Sequence, residues 1–290
     1  MSTVFIFLII LLYSFQTLFC TLFNKYYKGN PALSSDVFCV LQGIAIPIVT
    51  LCFIGFNFHP SFSTWIIGCV NALALLTYNR SIIKGSSLGP YAFLNITLLF
   101  GGLLVPILFN TFYYKVPFTP LQIAAVLLML LSLVLVNVRD IQLTGIPKAY
   151  FICCLLLFIS NGAYSTLVSV QSHVCEAEGN QMIIITYMMM GGISALKLAV
   201  SERKNAVQAF RIGKKAAVML TICLLSSAAA INLQVYILPK VNLTVLYTTE
   251  NGGIMLLSAL YSFILFKEKF SRKKIFGIVF AVVSIVALSI

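Results

Sequence analysis

Glu250 has the clearest chemical potential in this chain, because it lies inside an apolar segment that begins at Asn242. Eight residues of helix, at about 1.5 Å per residue, place it roughly 12 Å from that start. An ionisable side chain in the middle of a membrane helix costs about 2.5–3.5 kcal/mol on insertion, so its presence there indicates function. A carboxylic acid in a low-dielectric cavity can exchange a proton or bind a cationic group that displaces the proton. The alternatives are a structural hydrogen bond to a neighbouring helix, or a shorter ninth helix that leaves Glu250 near the outer surface.

Two glycine pairs lie at corresponding places in the two halves of the chain. Tyr247, Glu250 and Asn251 precede Gly252-Gly253, and an earlier apolar segment carries Gly101-Gly102. Such a pair can interrupt a helix, so that backbone carbonyl groups face a cavity, as in the discontinuous helices of transporters. The pairs therefore point to a central site formed with Tyr247 and Asn251. Glycine pairs also permit close helix packing, and that alternative has equal weight.

Amide side chains inside the apolar segments form the second set of candidate ligands. Amides both donate and accept hydrogen bonds, which suits a neutral or zwitterionic solute. Any single one is more often a hydrogen bond between helices than a ligand. The candidates are Gln16, Asn71, Asn95, Asn161 and Asn232.

No cofactor, metal site or catalytic activity is expected. His59 and His173 are far apart in predicted loops, which does not make a metal site, and the eight cysteines lie nearly all in apolar segments without metal-binding or redox spacing. Phosphate-binding loops, nucleophile elbows and paired acids at metal-binding spacing are missing from the sequence. We therefore do not expect an enzyme.

The elements that must position these residues are membrane helices. With 60% hydrophobic and 9% charged residues and a mean hydropathy of +1.03, the chain cannot cover a soluble core. Its net charge of +12 is spread over short loops, which indicates contact with lipid headgroups and not with nucleic acid. Polar, proline and glycine residues divide the chain into ten apolar segments of spanning length. They are Ser2–Phe23, Ser35–Gly55, Ser61–Ile83, Leu88–Thr111, Phe118–Val138, Ile146–Val170, Asn180–Val200, Lys214–Leu238, Asn242–Phe266 and Ser271–Ile290.

An internal repeat divides the chain into halves, residues 1–139 and 140–290. An ungapped offset of 152 (253 − 101) aligns Gly253 with Gly101, and an offset of 145 (161 − 16) aligns Asn161 with Gln16. Five spans in each half force the halves into opposite orientations. The predicted fold is therefore an all-α membrane protein of ten helices in two inverted five-helix repeats, with a site between the halves.

Charge distribution predicts the orientation. All 19 Lys and Arg residues except Lys115 and Lys240 lie in the loops, or at the helix ends, that follow odd-numbered segments. The positive-inside rule then places those loops in the cytoplasm and both termini outside it, with the plasma or inner membrane as the expected location. Arg80 and Lys197 are expected to extend to the cytoplasmic surface, and Asp36 to be a first-turn acid of the second helix.

The chain resembles the drug/metabolite transporter superfamily, in its ten-helix EamA-like group. The segment Phe266–Ser271, followed by Ile275–Ile278, is similar to the family's ending, and Pro239–Val241 and the first-half segment Lys84–Pro106 also fit. The resemblance covers the whole chain in architecture and implies secondary transport of metabolites, amino acids, amines or drugs without nucleotide hydrolysis.

The chain departs from that family in three respects. Its first half has Val116 and Ala125 where the second has Glu268 and Gly277. Gln16 stands where related four-helix exporters have a membrane-embedded glutamate, so their cation-exchange mechanism does not transfer to this position. External termini also differ from the cytoplasmic termini expected of many ten-helix relatives.

The sequence thus predicts a secondary active transporter that moves a small polar organic solute, such as an amine or amino acid, by alternating access, with proton coupling as an option. The expected partners are this solute and the bilayer, and both a monomer and a homodimer are compatible. One alternative is a membrane-embedded enzyme acting on lipid-linked substrates, which would need clustered acids or histidines at the interface. Another is a non-transporting membrane sensor.

Overall fold

The chain is almost entirely helical in the computed structural model, which describes residues 2–30, 33–89, 91–117, 119–137, 146–201, 209–266 and 272–289. The expected boundary between the halves, at residues 139 and 140, lies outside these residues, as do Lys267–Ser271 of the family-like ending. Within the described ranges the chain forms ten α-helices. They are α1 (Ser2–Tyr26), α2 (Ser34–Phe53), α3 (Phe62–Leu88), α4 (Tyr91–Tyr113), α5 (Pro120–Asn137), α6 (Lys148–Val174), α7 (Gly179–Ser201), α8 (Lys214–Ile237), α9 (Leu243–Phe266) and α10 (Arg272–Ser289).

Short polar signals start several of these helices. Thr119 and Gln122 form a reciprocal capping box at the start of α5, each side-chain oxygen accepting the other residue's backbone N–H at 3.2 Å. Ser61 caps α3 by accepting from the N–H of Thr64, and Asn242 accepts from the N–H of Thr244 at the start of α9. The helix ends therefore fall where the apolar segments of the sequence meet such residues.

The fold is that of an α-helical membrane protein. Helices α1 to α4 and α6 to α8 are long and apolar enough to cross a bilayer, and α5 contains a shorter apolar stretch, Pro120–Val136. Large apolar side chains are exposed on the outside of the bundle, including Phe62 (80% exposed) and Leu155 (60%). Lipid is the solvent that makes such a surface stable. That all ten helices span the membrane, and that the halves are inverted, stays a prediction.

The helix contacts made by the first five helices correspond to those made by the last five. Helix α1 packs on α8 and α9, while α6, five helices later, packs on α3 and α4. Helix α2 packs on α8, and α7 correspondingly packs on α3. The contacts of α2 with α7 and of α5 with α10 join helices that are five places apart, so each of these pairs is its own counterpart. The main contacts of each helix are thus equivalent to those of the helix five places away.

Candidate functional site

Glu250 belongs to a hydrogen-bonded polar chain that joins three helices. The Tyr13 hydroxyl on α1 donates to Gln234 Oε1 on α8 at 2.7 Å, and Gln234 Nε2 donates to Glu250 Oε2 on α9 at 2.7 Å. Gln234 and Glu250 are 6% and 9% exposed. The Gln234 amide accepts a hydrogen bond through its oxygen and donates one through its nitrogen, which holds the carboxyl group of Glu250 in a defined position. Tyr13, Gln234 and Glu250 are called the polar chain below.

Tyrosine side chains from further helices surround the polar chain. Tyr247, one turn before Glu250, donates its hydroxyl to the backbone oxygen of Ser165 on α6 at 3.0 Å. Tyr78 of α3 and Tyr187 of α7 lie within electrostatic range of Tyr13, and Tyr164 of α6 lies beside Tyr187. The tyrosines therefore bring α3, α6 and α7 to the same place as α1, α8 and α9.

The carboxyl group of Glu250 has neutral neighbours. Both ion pairs found among the described residues belong to Asp36, so none involves Glu250. A buried carboxylate without a cation is costly in its charged form, and the group is more stable when it binds a proton or a positively charged ligand. These neighbours are compatible with the expected exchange of a proton for a cationic group at Glu250, which stays a prediction.

The polar chain lies toward one end of the bundle. Glu250 is seven residues from the start of α9, which corresponds to about 10 Å of helix. Gln234 lies in the last turn of α8, which ends at Ile237, whereas Tyr13 lies near the middle of α1. The site is therefore closer to the end of the bundle where α8 leads into α9 than to the opposite end.

The predicted amide ligands are distributed over several helix contacts. Asn251 donates to the Tyr247 backbone oxygen of its own helix at 2.7 Å, and Asn161 donates from α6 to the Leu98 backbone oxygen of α4 at 2.8 Å. Asn232 donates to Thr50 on α2 at 2.9 Å, and Asn71 on α3 is buried beside Thr186 of α7 at 3.5 Å. The bonds of Asn161, Asn232 and Asn71 link helices, as the structural alternative predicts, whereas that of Asn251 stays within α9.

Gln16 and Asn95 are both half-buried and do not join the polar chain through any hydrogen bond among the described residues. The side-chain oxygens of Gln16, Asn71 and Asn232 are buried and lack a hydrogen-bond partner within the described protein. Such oxygens accept hydrogen bonds from a ligand or from water when the interior opens.

The expectation that the glycine pairs interrupt their helices is wrong for this conformation. Helix α4 continues through Gly101-Gly102, and α9 continues through Gly252-Gly253. A Cβ on Gly101 would lie 2.2 Å from the Phe158 backbone oxygen of α6, and a Cβ on Gly253 would lie 2.7 Å from the Ile10 side chain of α1. The glycines therefore allow α4 to approach α6 and α9 to approach α1, which is the packing alternative.

Sequence reasoning missed a second buried acid. Asp36 at the start of α2 is 1% exposed and accepts from Arg80 Nη2 of α3 at 3.1 Å and from Lys197 Nζ of α7 at 2.5 Å. We call these three residues the Asp36 ion cluster. Arg80 and Lys197 were expected to extend to the surface; their side chains are 39% and 40% exposed, and they also contact Asp36, which was not expected. The available signal was that all three lie at helix ends on the same predicted side of the membrane.

A different cluster closes the opposite end of α3. Glu178, in the short turn between α6 and α7, accepts from the backbone N–H and the hydroxyl of Ser61 at 2.8 and 2.7 Å. Gln171 near the end of α6 donates to the Thr64 hydroxyl at 2.9 Å, and both of these side chains are fully buried. Ser61, Thr64, Gln171 and Glu178 are called the Ser61 cap. Ser61 and Arg80 are separated by about 28 Å of helix, so the cap and the ion cluster lie at opposite ends of the bundle.

The bundle interior is closed in this conformation. One pocket of about 390 Å³ lies between α3 and α6, and another of about 230 Å³ lies between α2 and α7. Neither is lined by Glu250 or by another residue of the polar chain. A solute therefore does not reach Glu250 through either of these two pockets.

Comparisons with known proteins establish the fold. A protein of known crystal structure is similar to this chain with a TM-score of 0.78, at 16% sequence identity, over 99% of this chain and 96% of the other. No protein-family model and no protein of curated function matches the sequence. Identity at this level shows a shared helical architecture and carries no activity to this chain.

Proposed function

We propose that this protein is a secondary active transporter for a small polar organic solute, of the ten-helix drug/metabolite transporter type. The observation that carries the proposal is Glu250, a buried acid whose hydrogen-bond partner Gln234 is neutral and which takes part in no ion pair among the described residues. A membrane protein maintains such a group at a cost, and binding a proton or a cation offsets that cost.

The correspondence between the helix contacts of the first five and the last five helices supports two related halves. The pairs α1–α8 and α3–α6 correspond, as do α1–α9 and α4–α6. Five spans per half give the halves opposite orientations, so the two faces of the bundle become equivalent by symmetry. Alternating access then follows when the halves exchange conformations, with the substrate between them.

The two end clusters suggest how access alternates. The Asp36 ion cluster joins α2, α3 and α7 at one end, and the Ser61 cap joins α3 to the α6–α7 turn at the other. With both clusters formed and the interior closed, this conformation corresponds to an occluded state. Breaking the Ser61 cap opens one side, and breaking the ion cluster opens the other.

The chemistry of the site favours a substrate with a positive group. Glu250 supplies a negative charge once it loses its proton, and the tyrosine hydroxyls supply hydrogen bonds and aromatic faces that attract cations. A small amine or an amino acid fits this set better than an anion does. The exchange of one proton for one ammonium group at Glu250 also provides coupling.

The proposed location is the plasma or inner membrane with both termini outside the cytoplasm. The ion cluster then lies at the cytoplasmic end and the Ser61 cap at the external end. This orientation depends on the charge bias of the loops.

The experiment compares the wild-type protein with Glu250→Gln in proteoliposomes. Uptake of radiolabelled small amines, amino acids and uncharged metabolites is measured with and without a pH gradient, together with internal pH. We expect the wild type to take up a cationic or zwitterionic solute in a gradient-dependent manner. Glu250→Gln should abolish the gradient dependence, because an amide can accept the bond from Gln234 but cannot exchange a proton.

The matched control is Glu176→Gln, which makes the same chemical change at an exposed position in the α6–α7 turn. It should transport like the wild type, and all three proteins should unfold at similar temperatures. Transport by Glu250→Gln with unchanged pH dependence would remove Glu250 from the mechanism. Absence of uptake by the wild type for every solute class would count against the transporter proposal itself.

A further inference from the structure

The groove between α3 and α6 combines positive charge with an apolar wall. Its volume is about 390 Å³, and its lining consists of Thr77, Arg80, Ser81, Lys84, Ala149, Ile152, Cys153 and Leu156. Two of these residues are cations, two carry hydroxyl groups and none is acidic. The groove therefore offers an anion both charge and hydrogen-bond donors, beside a surface that suits a hydrocarbon chain.

The apolar wall of the groove faces the lipid phase. Ile152 and Leu156, one turn apart on α6, are 58% and 42% exposed, and neighbouring Leu155 is 60% exposed. On α3, Leu73 lies one turn before Thr77 and is 56% exposed. Acyl chains can follow this surface from the polar part of the groove toward the membrane interior.

Arg80 links the groove to the Asp36 ion cluster. Its Nη2 donates to Asp36, while its buried Nε has no hydrogen-bond partner in the described protein. A guanidinium group carries five N–H donors in a fixed plane, so it can hold a carboxylate on one side and a phosphate on the other. Lys84, one turn later on α3, adds a second cation to the same groove.

We propose that the α3–α6 groove binds an anionic glycerophospholipid, with its phosphate at Arg80 and Lys84 and an acyl chain along Ile152 and Leu156. Charge complementarity and the open lipid-facing wall select a lipid over a soluble phosphate. Basic pockets between membrane helices bind anionic headgroups by the same chemistry. The bound phosphate shares Arg80 with Asp36, so the lipid lies next to one of the two closing clusters.

The test is native mass spectrometry of the intact protein released from detergent. Dioleoyl phosphatidylglycerol and dioleoyl phosphatidylcholine, which differ only in the headgroup, are added in parallel. We expect the wild type to retain one phosphatidylglycerol in preference to phosphatidylcholine. Lys84→Gln should weaken retention of phosphatidylglycerol about fivefold, the effect of one cation near a lipid surface. Lys214→Gln, which removes an exposed cation at the start of α8, should not.

A second variant locates the lipid. Ala149→Trp fills the groove from an exposed position on α6 and keeps both cations. It should also reduce retention, while unfolding at the wild-type temperature. Equal loss in Lys84→Gln and Lys214→Gln, or full retention by Ala149→Trp, would overturn the assignment. So would equal retention of the two lipids by the wild type, or displacement of phosphatidylglycerol by excess inorganic phosphate.

Discussion

Asp36 and Glu250 are both buried acids, but the protein compensates them in opposite ways. Asp36 is 1% exposed and contacts two cations, Arg80 and Lys197. Glu250 is 9% exposed and contacts the neutral amide of Gln234. Two cations lie beside the charge of the first carboxylate, whereas the second has only a neutral amide beside it and no counter-ion among the described residues.

This difference separates an acid with an ion-pairing role from the acid that we propose to be functional. Burial alone does not distinguish the two, and neither does their position inside an apolar segment. The charge of the neighbouring groups does, because a carboxylate already paired with two cations has little to gain from a ligand. The comparison therefore supports the proposal that Asp36 holds helices together and that Glu250 binds the ligand.

The largest expected effect comes from removing both partners of Asp36. Arg80→Gln with Lys197→Gln leaves a buried carboxylate without a cation, which costs about 3–5 kcal/mol of unfolding free energy. Thermal unfolding in detergent measures the loss. Adding Asp36→Asn to the double variant should restore much of the stability, because the unpaired charge disappears. If the double variant is as stable as the wild type, Asp36 does not depend on these cations.

An intermediate effect on stability is expected at Gly43, where α2 crosses α7. A Cβ on Gly43 would lie 2.6 Å from the Gly191 Cα and 2.8 Å from the Tyr187 backbone oxygen of α7. Backbone cannot move as a side chain does, so Gly43→Ala should cost about 2–3 kcal/mol, measured by thermal unfolding. At Gly253, near Glu250, the nearest atoms belong to the Ile10 side chain, so Gly253→Ala should cost less, because a side chain shifts more readily than backbone.

The control for this pair is Gly192→Ala, since nothing lies within 4 Å of a Cβ there. That variant should be neutral or slightly stabilising, because alanine favours the helix by about 0.5–1 kcal/mol. A larger loss of stability in Gly253→Ala than in Gly43→Ala would contradict the prediction that the crossing of α2 and α7 tolerates an added methyl group less well than the contact near Glu250.

The smallest effect is expected from the polar chain. Gln234→Leu removes the shared partner of Tyr13 and Glu250, which should cost about 1–2 kcal/mol in thermal unfolding. Tyr13→Phe removes a single hydroxyl group and should cost about 1 kcal/mol or less. A loss of stability as large as that of the Arg80 and Lys197 double variant would show that the polar chain stabilises the fold as strongly as the Asp36 ion cluster does.

The two acids also show how far sequence reasoning reached. Glu250 was identified from its position alone, because an acid eight residues into an apolar segment has few explanations. Asp36 was taken for a helix-start acid, since its partners Arg80 and Lys197 are 44 and 161 residues away. Tyr13, which completes the polar chain, is 221 residues from Gln234. Separations of this size depend on the order and rotation of the packed helices, which local patterns do not contain.

The glycine pairs also show that local sequence patterns do not predict contacts between helices. Gly101 and Gly253 were aligned by the predicted repeat, yet composition does not distinguish a helix break from a close approach. The neighbouring backbone of Phe158 and the side chain of Ile10 decide in favour of close approach.

The sequence by itself determined the α-helical membrane class and the positions of the helices. Hydrocarbon cannot hydrogen-bond an open backbone, so each long apolar segment must be helical and must end near its polar residues. Only the tertiary structure decided which acid has cations beside it and which has an amide. The reason is physical: those partners come together through side-chain packing between helices, and packing depends on contacts made far apart along the chain.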